Sequence, residues 1–240
     1  MKPAYVAVHV EEHGLHWYFR GRRTLIHGVL RRLLPKRPLR LLDIGCGTGN
    51  LLSTLKEFGE AVGMDTSDAL LAVARAAGHD ARKGALPDDL VVPPGWADVV
   101  LLLDVIEHLD DDVAGLRAAR RALRADGLLV VAVPAYPALW SGHDVALGHR
   151  RRYTANGLRG VVETAGYRVQ YESYFNTVLF PAIASIRLWK RWRGDDRHDL
   201  RRPGPIVNAV LERLFALERH LVPRRGLPFG TSLLLVARPT

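Results

Sequence analysis

RLLDIGCGTGN, residues 40–50, carries the pattern from which the fold of this chain follows. It opens with an apolar run that predicts a buried strand ending in Asp43 and Ile44. Glycines then occupy alternate positions: Gly45, Gly47 and Gly49. Glycine allows positive φ and a close approach of backbone to ligand, and a helix beginning near Asn50 would offer free N–H groups to a polar partner. The pattern therefore predicts a strand, a tight turn and a helix that together hold a cofactor.

The spacing of the glycines distinguishes between cofactors. Dinucleotide-binding turns follow the pattern G-x-G-x-x-G and hold a pyrophosphate. Here the pattern is D-x-G-x-G-x-G, and the carboxylate of Asp43 would repel a pyrophosphate but attract an ammonium group. A nicotinamide-dependent oxidoreductase is therefore disfavoured.

The composition is that of a globular protein with a basic surface. The chain has 240 residues, 48% of them hydrophobic, one cysteine and a formal net charge of +9. A single cysteine cannot form an internal disulfide. We expect neither a signal peptide nor a membrane span, because no apolar run approaches the roughly 20 residues that a span needs. The expected location is the cytoplasm, with the positive charge favouring peripheral contact at the inner membrane face.

Polar residues follow two further predicted strands. The strand that ends at Asp65 places a carboxylate where it can bind a ribose diol, and Thr66 or Ser67 would cap the next helix. An apolar run at 98–103 predicts a central parallel strand buried on both faces. Ligands of open α/β sheets bind beyond the carboxyl ends of the strands. The residues that follow this run therefore border the predicted cleft: Asp104, Glu107 and His108.

Four motifs follow one another along the chain in a characteristic order and spacing: the glycine turn, Asp65, the segment DVIEHL at 104–109 and the turn ADG at 125–127. In this the chain resembles the class I S-adenosylmethionine (SAM) dependent methyltransferases over residues 39–175, and in particular bacterial small-molecule enzymes related to the ubiquinone-biosynthetic O-methyltransferases. The resemblance implies SAM as the cofactor. It also implies a Rossmann-like α/β fold with a doubly wound, seven-stranded, mostly parallel sheet in the order 3-2-1-4-5-7-6.

The same resemblance predicts a single methyltransferase domain over residues 1–240. Its parts, in chain order, are an N-terminal helical cover (1–38), a SAM-binding core (39–175), a helical lid or insertion (176–228) and a final strand (229–240). The insertion exceeds what a minimal domain of this class needs.

The resemblance also suggests which residues bind SAM. They are Asp43, Gly45, Cys46, Gly47, Gly49, Asp65, Thr66, Ala85, Leu86, Asp104 and His108. Relatives commonly carry an acid after the third strand that meets the adenine, whereas this chain has Gly84 and Ala85 there. Adenine recognition therefore rests on backbone groups around Gly84, Ala85 and Leu86, or on Asp88.

No metal is expected, but one alternative involves a divalent cation. If a helix began at Asp104, then Asp104, Glu107 and His108 would lie on one face, and carboxylates with imidazole can bind such an ion. The ubiquinone-type relatives carry a similar arrangement implicated in metal binding. A Glu-His pair after the fourth strand is also widespread in SAM methyltransferases, where it borders the methionine moiety.

A histidine-rich loop at 135–153 carries the catalytic hypotheses. His143 and His149 are candidates to take a proton from a hydroxyl or amine, with Asp144 as an orienting partner. The candidate substrate-binding residues are Tyr18, Trp140, Arg151 and Tyr153. In the competing interpretation, His149, Arg151 and Tyr153 only tie the loop to the following helix.

The insertion contains an aromatic stretch at 175–192 that passes into KRWRGDDRHDLRR at 190–202. Three interpretations remain open: a lid over the substrate, a contact with an anionic membrane surface, and a dimer interface.

The expected protein is an enzyme that transfers the methyl group of SAM to a small-molecule or lipid-like acceptor. O-methylation in secondary, lipid or quinone-type metabolism is favoured, with an N- or C-methyltransferase of a natural product as the alternative. An RNA methyltransferase is a weaker alternative, because no N/D-P-P-Y-type tetrapeptide follows the fourth strand, and nucleic acid is not an expected partner. A non-enzymatic SAM-binding protein is a further alternative, and both monomer and homodimer remain open.

Overall fold

A computed structural model describes residues 14–193, 203–222 and 224–240 of the chain. They form two compact units. The sheet unit comprises Pro35–Val133, Ala155–Glu172 and Leu234–Thr240, and the helical unit comprises the described parts of Met1–Leu34, Pro134–Thr154 and Ser173–Leu233. Residues 1–13 of the predicted N-terminal cover, and residues 194–202 and 223 of the predicted insertion, lie outside the described residues.

The described residues contain one seven-stranded sheet. Its strands are β1 (Leu39–Ile44), β2 (Gly59–Asp65), β3 (Asp80–Lys83), β4 (Ala97–Leu103), β5 (Leu123–Pro134), β6 (Tyr167–Phe175) and β7 (Ser232–Pro239). The strand order is β3-β2-β1-β4-β5-β7-β6, which confirms the predicted order. The four pairings among β1 to β5 are all parallel.

The helices of the described chain precede β1 and connect most of the consecutive strands, except β3 and β4. They are α1 (Trp17–Leu33), α2 (Leu52–Leu55), α3 (Asp68–Ala76), α4 (Asp112–Ala122), α5 (Gly142–Leu147), α6 (Ala155–Thr164), α7 (Phe180–Arg193) and α8 (Pro205–Ala216). Short 3₁₀ turns cover Ile106–His108, Pro137–Leu139 and Leu217–His220.

The centre of the sheet is buried on both faces, as the apolar run at 98–103 predicted. Leu101 and Leu102 of β4 are both fully buried, and they pair in register with Asp43 and Ile44 of β1. Ile44 in turn pairs with Met64, next to the end of β2. The parallel register therefore brings the carboxyl ends of β1, β2 and β4 to one edge of the sheet, where ligands of such sheets bind.

The helix after the glycine turn is shorter than predicted. The sequence predicts a helix over residues 50–58, whereas α2 covers only Leu52–Leu55. Beyond it, Phe58 N donates to Leu55 O at 2.9 Å, an i to i+3 bond that tightens the chain. Gly59 follows with φ of +143°, and a Cβ added there would overlap the carbonyl of Leu39. The close approach of β2 to the start of β1 thus ends the helix early.

In the helical unit, α1 packs against α8. Gly21 lies against the fully buried ring of Phe215, and an added Cβ would come within 2.5 Å of its Cδ1. Asn208 of α8 satisfies the start of α1, because its Oδ1 accepts from Trp17 N at 2.9 Å and its Nδ2 donates to Leu15 O at 3.0 Å. The described part of the predicted N-terminal cover thus contains the helix α1.

Candidate active site

The glycine turn after β1 adopts a conformation that requires glycine. Gly45, Gly47 and Gly49 have φ values of +78°, +53° and +76°. A Cβ added at Gly45 would lie 2.5 Å from Cγ2 of Val105. The turn is held against β2, because Gly45 N donates to Met64 O at 2.7 Å. Gly45 therefore has no room for a side chain, and the positive φ values favour glycine at all three positions.

Asp65, at the carboxyl end of β2, is bound to this turn. Its Oδ2 accepts from Gly47 N at 2.9 Å, and its Oδ1 accepts from Ser67 N at 2.9 Å. Each carboxylate oxygen can accept more than one hydrogen bond, so these contacts leave acceptor capacity for a ligand. Ser67, rather than Thr66, caps α3 by accepting from Leu70 N at 3.4 Å. The carboxylate is therefore held in a defined orientation.

Asp43 and Cys46 are buried beside the turn. Asp43 is 3% exposed and Cys46 is 5% exposed. Burial raises the pKa of the Cys46 thiol, and the nearby charges of Asp43 and Asp65 raise it further. The thiol is thus protonated at neutral pH and unsuited to act as a nucleophile. A Cβ added at Gly63 of β2 would lie 2.7 Å from Sγ of Cys46, so this side chain fills the space over β2.

The segment after β4 forms a tight turn rather than a helix. Asp104 adopts φ of +58°, and its N–H donates to Ala132 O of β5 at 2.9 Å. Ile106–His108 is a single 3₁₀ turn, in which Glu107 is fully buried. The helical i, i+3, i+4 spacing of the metal hypothesis is therefore absent. Ligand atoms of Glu107 and His108 nevertheless lie within 4.8 Å of each other, so a metal at these two residues stays a prediction.

The predicted adenine segment after β3 is a small closed loop. Ala85 and Asp89 bond each other twice through their backbones, at 3.1 and 2.8 Å, and the Leu86–Pro87 peptide is cis. Gly84 N donates to Asp65 O at 3.1 Å, which joins this loop to the end of β2. The loop therefore starts at the same strand end that carries the Asp65 carboxylate.

In the helical unit, the fully buried carboxylate of Asp144 accepts four hydrogen bonds. Oδ1 accepts from His149 Nδ1 at 2.8 Å and from Arg152 Nε at 2.8 Å. Oδ2 accepts from the N and Oγ of Ser141 at 2.9 and 3.3 Å, in a capping box at the start of α5. Burial opposes ionisation, but the bond from His149 and the charge of Arg152 outweigh it and hold the pKa of Asp144 well below its usual range.

His149 is the candidate histidine that contacts Asp144. Since a carboxylate only accepts, Nδ1 of His149 carries the proton, and in the neutral ring Nε2 carries the lone pair. His149 returns to Asp144 because Gly148 ends α5 in the left-handed conformation, with φ of +76°. The predicted orienting role of Asp144 is thus compatible with the geometry of His149.

The two ends of the 135–153 loop are bonded together. Tyr153, which is 5% exposed, donates from its N to Pro134 O at 3.0 Å, and its carbonyl accepts from Tyr136 N at 2.8 Å. Arg152 Nη1 donates to Ala135 O at 2.9 Å. Among the other predicted substrate-binding residues, Trp140 and Arg151 are half-buried. The hydroxyl oxygens of Tyr18 and Ser232 lie 3.3 Å apart.

Two features of the helical unit are missing from the sequence predictions. The first is Arg152, one of three consecutive arginines that the sequence does not distinguish. The second is an aromatic cluster in which the rings of Tyr136 and Tyr174 stack 5.2 Å apart and Phe180 lies 5.5 Å from Tyr136. Burial, with a hydrogen bond to Tyr174, raises the pKa of Tyr136 to about 12. These aromatics lie far apart in the chain, so no local pattern indicates them.

The amino-acid sequence of this chain is similar to a protein-family model and to curated proteins. A family model described as "Methyltransferase domain" matches residues 16–172. A probable S-adenosylmethionine-dependent methyltransferase of Mycolicibacterium smegmatis is 33% identical over 181 residues, which are 73% of this chain and 65% of that protein. A ubiquinone biosynthesis O-methyltransferase of Cereibacter sphaeroides is 39% identical over 105 residues, which are 40% of this chain and 42% of that protein. The chain thus spans less than two thirds of the length of these relatives.

The fold is also similar to that of solved structures. A SAM-dependent methyltransferase of Thermotoga maritima, described as a possible histamine N-methyltransferase, superposes with a TM-score of 0.62. The superposition covers 98% of this chain and 99% of that one, at 17% sequence identity. At this identity the likeness supports the fold alone.

Proposed function

This chain belongs to the SAM-dependent methyltransferases, and from that premise we propose that it methylates an oxygen of a small, quinone-type or lipid-like acceptor. The Asp144–His149 pair carries the proposal of a general base, because an acceptor hydroxyl must lose a proton as it gains a methyl group, and the partial similarity to O-methyltransferases supports the choice of oxygen. The partial similarity to ubiquinone biosynthesis O-methyltransferases supports the quinone-type acceptor.

The residues around the glycine turn fit SAM. The positive φ values of the three glycines suit a turn whose backbone lies close to a ligand. The carboxylate of Asp65 suits the ribose diol, and the buried carboxylate of Asp43 suits an ammonium group. When bound, SAM supplies a methyl group already made electrophilic by its sulfonium.

The protein's own part in the reaction is to position the acceptor and remove a proton. The loop that carries His149 follows β5 in the chain. Nε2 of His149 takes the proton from the acceptor hydroxyl, while Asp144 holds Nδ1–H. Such a general base contributes about 10²-fold to 10⁴-fold in rate. Trp140, Arg151, Tyr153 and Tyr18 are the proposed acceptor contacts.

The test is a panel of catechol, hydroxyquinone, amine and RNA acceptors with labelled SAM. Methylation of a hydroxyl acceptor supports the proposal, whereas transfer only to an amine, a carbon or RNA contradicts it. His149→Ala should lower turnover by about 10²-fold or more while leaving the Kd for SAM within twofold, and His143→Ala should change turnover less.

Calorimetry with SAM, NAD and NADP also decides against the oxidoreductase alternative if only SAM binds. Binding of SAM without transfer to any acceptor would favour a non-enzymatic SAM-binding protein.

We also propose that the second half of α7 contacts an anionic membrane. Ile186, Trp189 and Trp192 are 52%, 51% and 81% exposed, and spacings of three residues place them within an arc of about 120° on the helix. The guanidinium of Arg193 lies 4.5 Å from the ring centre of Trp189. Large apolar side chains with arginine beside them suit the level of lipid headgroups.

The charge and the length of the helices support a surface contact. Residues 190–202 contain six basic and three acidic residues, although 194–202 lie outside the described residues. No helix of the described chain has the length and apolarity to cross a bilayer. A helix with these properties would lie along the membrane surface, held by apolar burial and by anionic headgroups.

Vesicle sedimentation tests this contact. The full chain should bind vesicles that contain phosphatidylglycerol, bind phosphatidylcholine vesicles weakly, and dissociate as salt rises. The double variant Trp189→Ala/Trp192→Ala should lose binding, whereas Val145→Ala, which removes another exposed apolar side chain, should retain it. Equal binding by both variants contradicts the proposal. A concentration-dependent dimer lost only in the double variant would instead assign the surface to self-association.

A further inference from the structure

Asp144 offers a single oxygen to two donors of different kinds. Both His149 Nδ1 and Arg152 Nε lie 2.8 Å from Oδ1. The carboxylate is fully buried, and the side chain of Arg152 is only 2% exposed. A buried carboxylate is stable only when it is paired and hydrogen-bonded, and guanidinium remains charged at every pH of interest. Together with the bond from His149, Arg152 therefore keeps Asp144 ionised.

We propose that Arg152 is a positioning residue that sets the tautomer of His149. This inference rests on the proposed function, in which His149 is the general base. Because Asp144 stays ionised, it accepts from Nδ1–H and leaves the lone pair of the neutral ring on Nε2. Because Arg152 pairs with Asp144, the charge of that carboxylate is balanced without a cationic ring. A neutral ring with Nε2 unprotonated is the form that can accept a proton.

A second bond of Arg152 fixes the position of this group of residues. Its Nη1 donates to Ala135 O at 2.9 Å, and Ala135 directly follows the last residue of β5. One planar guanidinium thus binds the acid that orients His149 and the backbone that leaves the sheet. A lysine could supply the charge but not two donors in this fixed geometry.

The neighbouring arginines do not share this environment. Arg150 is exposed and Arg151 is half-buried, whereas Arg152 is 6% exposed. Of the three, Arg152 is the arginine whose buried side chain donates to Asp144. Arg150→Ala is therefore a matched control that removes the same charge from the same run.

The protonation state of the His149 ring nitrogens tests the inference without any methyl-acceptor substrate. In protein labelled with ¹⁵N-histidine, the ring signals of His149 are assigned by their loss in His149→Ala. The wild type and Arg150→Ala should show a protonated Nδ1 and an unprotonated Nε2. Arg152→Ala should show mixed tautomers or a doubly protonated ring, and unchanged signals in that variant would overturn the proposal.

Activity provides the second measurement. Arg152→Ala should lower kcat by about tenfold or more with the Kd for SAM unchanged, and added guanidinium should restore part of the loss. If Arg152→Ala fails to fold, as judged by circular dichroism, Arg152→Lys takes its place and should show a smaller shift of the same signals. If no acceptor is methylated, the proposed function fails while the ring signals still decide the role of Arg152. If the signals are unchanged in an active enzyme, only this inference fails.

Discussion

The backbone amide of Gly47 donates to Oδ2 of Asp65 at 2.9 Å, so the glycine turn after β1 and the end of β2 are bonded directly. The two motifs that lie 18 residues apart in the chain thus form one structure. A ligand that uses the carboxylate therefore meets a group whose orientation depends on the turn. The first prediction follows from this bond.

Asp65→Ala should raise the Kd for SAM by about tenfold to a hundredfold, the expected loss for a hydrogen bond to a charged group. It removes the proposed ribose acceptor and leaves Gly47 N without its partner. Asp68→Ala is the control, because Asp68 makes an exposed ion pair with Lys83 and should leave the Kd unchanged. Calorimetry measures both, and a Kd for Asp65→Ala within twofold of the wild type would contradict the assignment.

Gly21→Ala should destabilise the protein. The added Cβ would lie 2.5 Å from Cδ1 of the fully buried Phe215, and such overpacking costs about 1–3 kcal/mol against a helix-propensity gain of about 1 kcal/mol. Gly160→Ala in α6 should do the reverse, because an added Cβ there meets nothing within 4 Å. Melting temperatures from circular dichroism should therefore shift in opposite directions, and a shift in the same direction would count against the packing of α1 on α8.

Glu218→Ala should be strongly destabilising. The buried carboxylate accepts from the backbone N–H groups of Asn176, Thr177 and Val178 at 2.6, 2.6 and 3.0 Å. Its removal leaves three donors unsatisfied at about 1–3 kcal/mol each. Glu212→Ala breaks only the partly exposed ion pair with Arg20 and should cost less than about 1 kcal/mol. Urea unfolding at pH 7 compares the two, and equal losses would contradict this role of Glu218.

The stabilisation from Asp144 should depend on pH. Because its folded-state pKa is lowered, its contribution is fully present above the unfolded value of about 3.9 and is lost as pH falls through the lower folded value. Asp144→Asn should cost about 3–5 kcal/mol at pH 7, since it leaves Arg152 buried without its partner. The difference in unfolding free energy between wild type and variant should shrink between pH 4 and pH 3. A difference that grows on acidification would show that the ion pair is not its source.

Much of the sheet unit could be predicted because its signals are local. A central parallel strand needs an unbroken apolar run, and a turn at positive φ favours glycine, so β1, β4 and the glycine turn follow from short patterns, whereas the strand order follows from the resemblance to the methyltransferase family. The length of α2 could not be predicted, because the packing of Gly59 against Leu39 ends it.

The candidate catalytic residues of the helical unit also depend partly on local signals and partly on contacts between separate segments. Residues next to each other on a helix point about 100° apart, so adjacency in sequence does not bring His143 to Asp144. The left-handed Gly148 instead turns the chain back, and His149 N bonds Asp144 O at 2.9 Å. The catalytic and substrate-binding roles of these residues remain predictions.

The sequence by itself determined the family, and through that resemblance the fold and the cofactor, because glycine spacing, strand-end acids and apolar runs are local features of the chain. Only the tertiary structure decided which histidine meets Asp144, which of three arginines balances its charge, and which aromatics form a cluster. Those choices depend on burial and on contacts between distant segments. No composition or spacing encodes them, since chemically identical side chains a few residues apart differ only in what surrounds them.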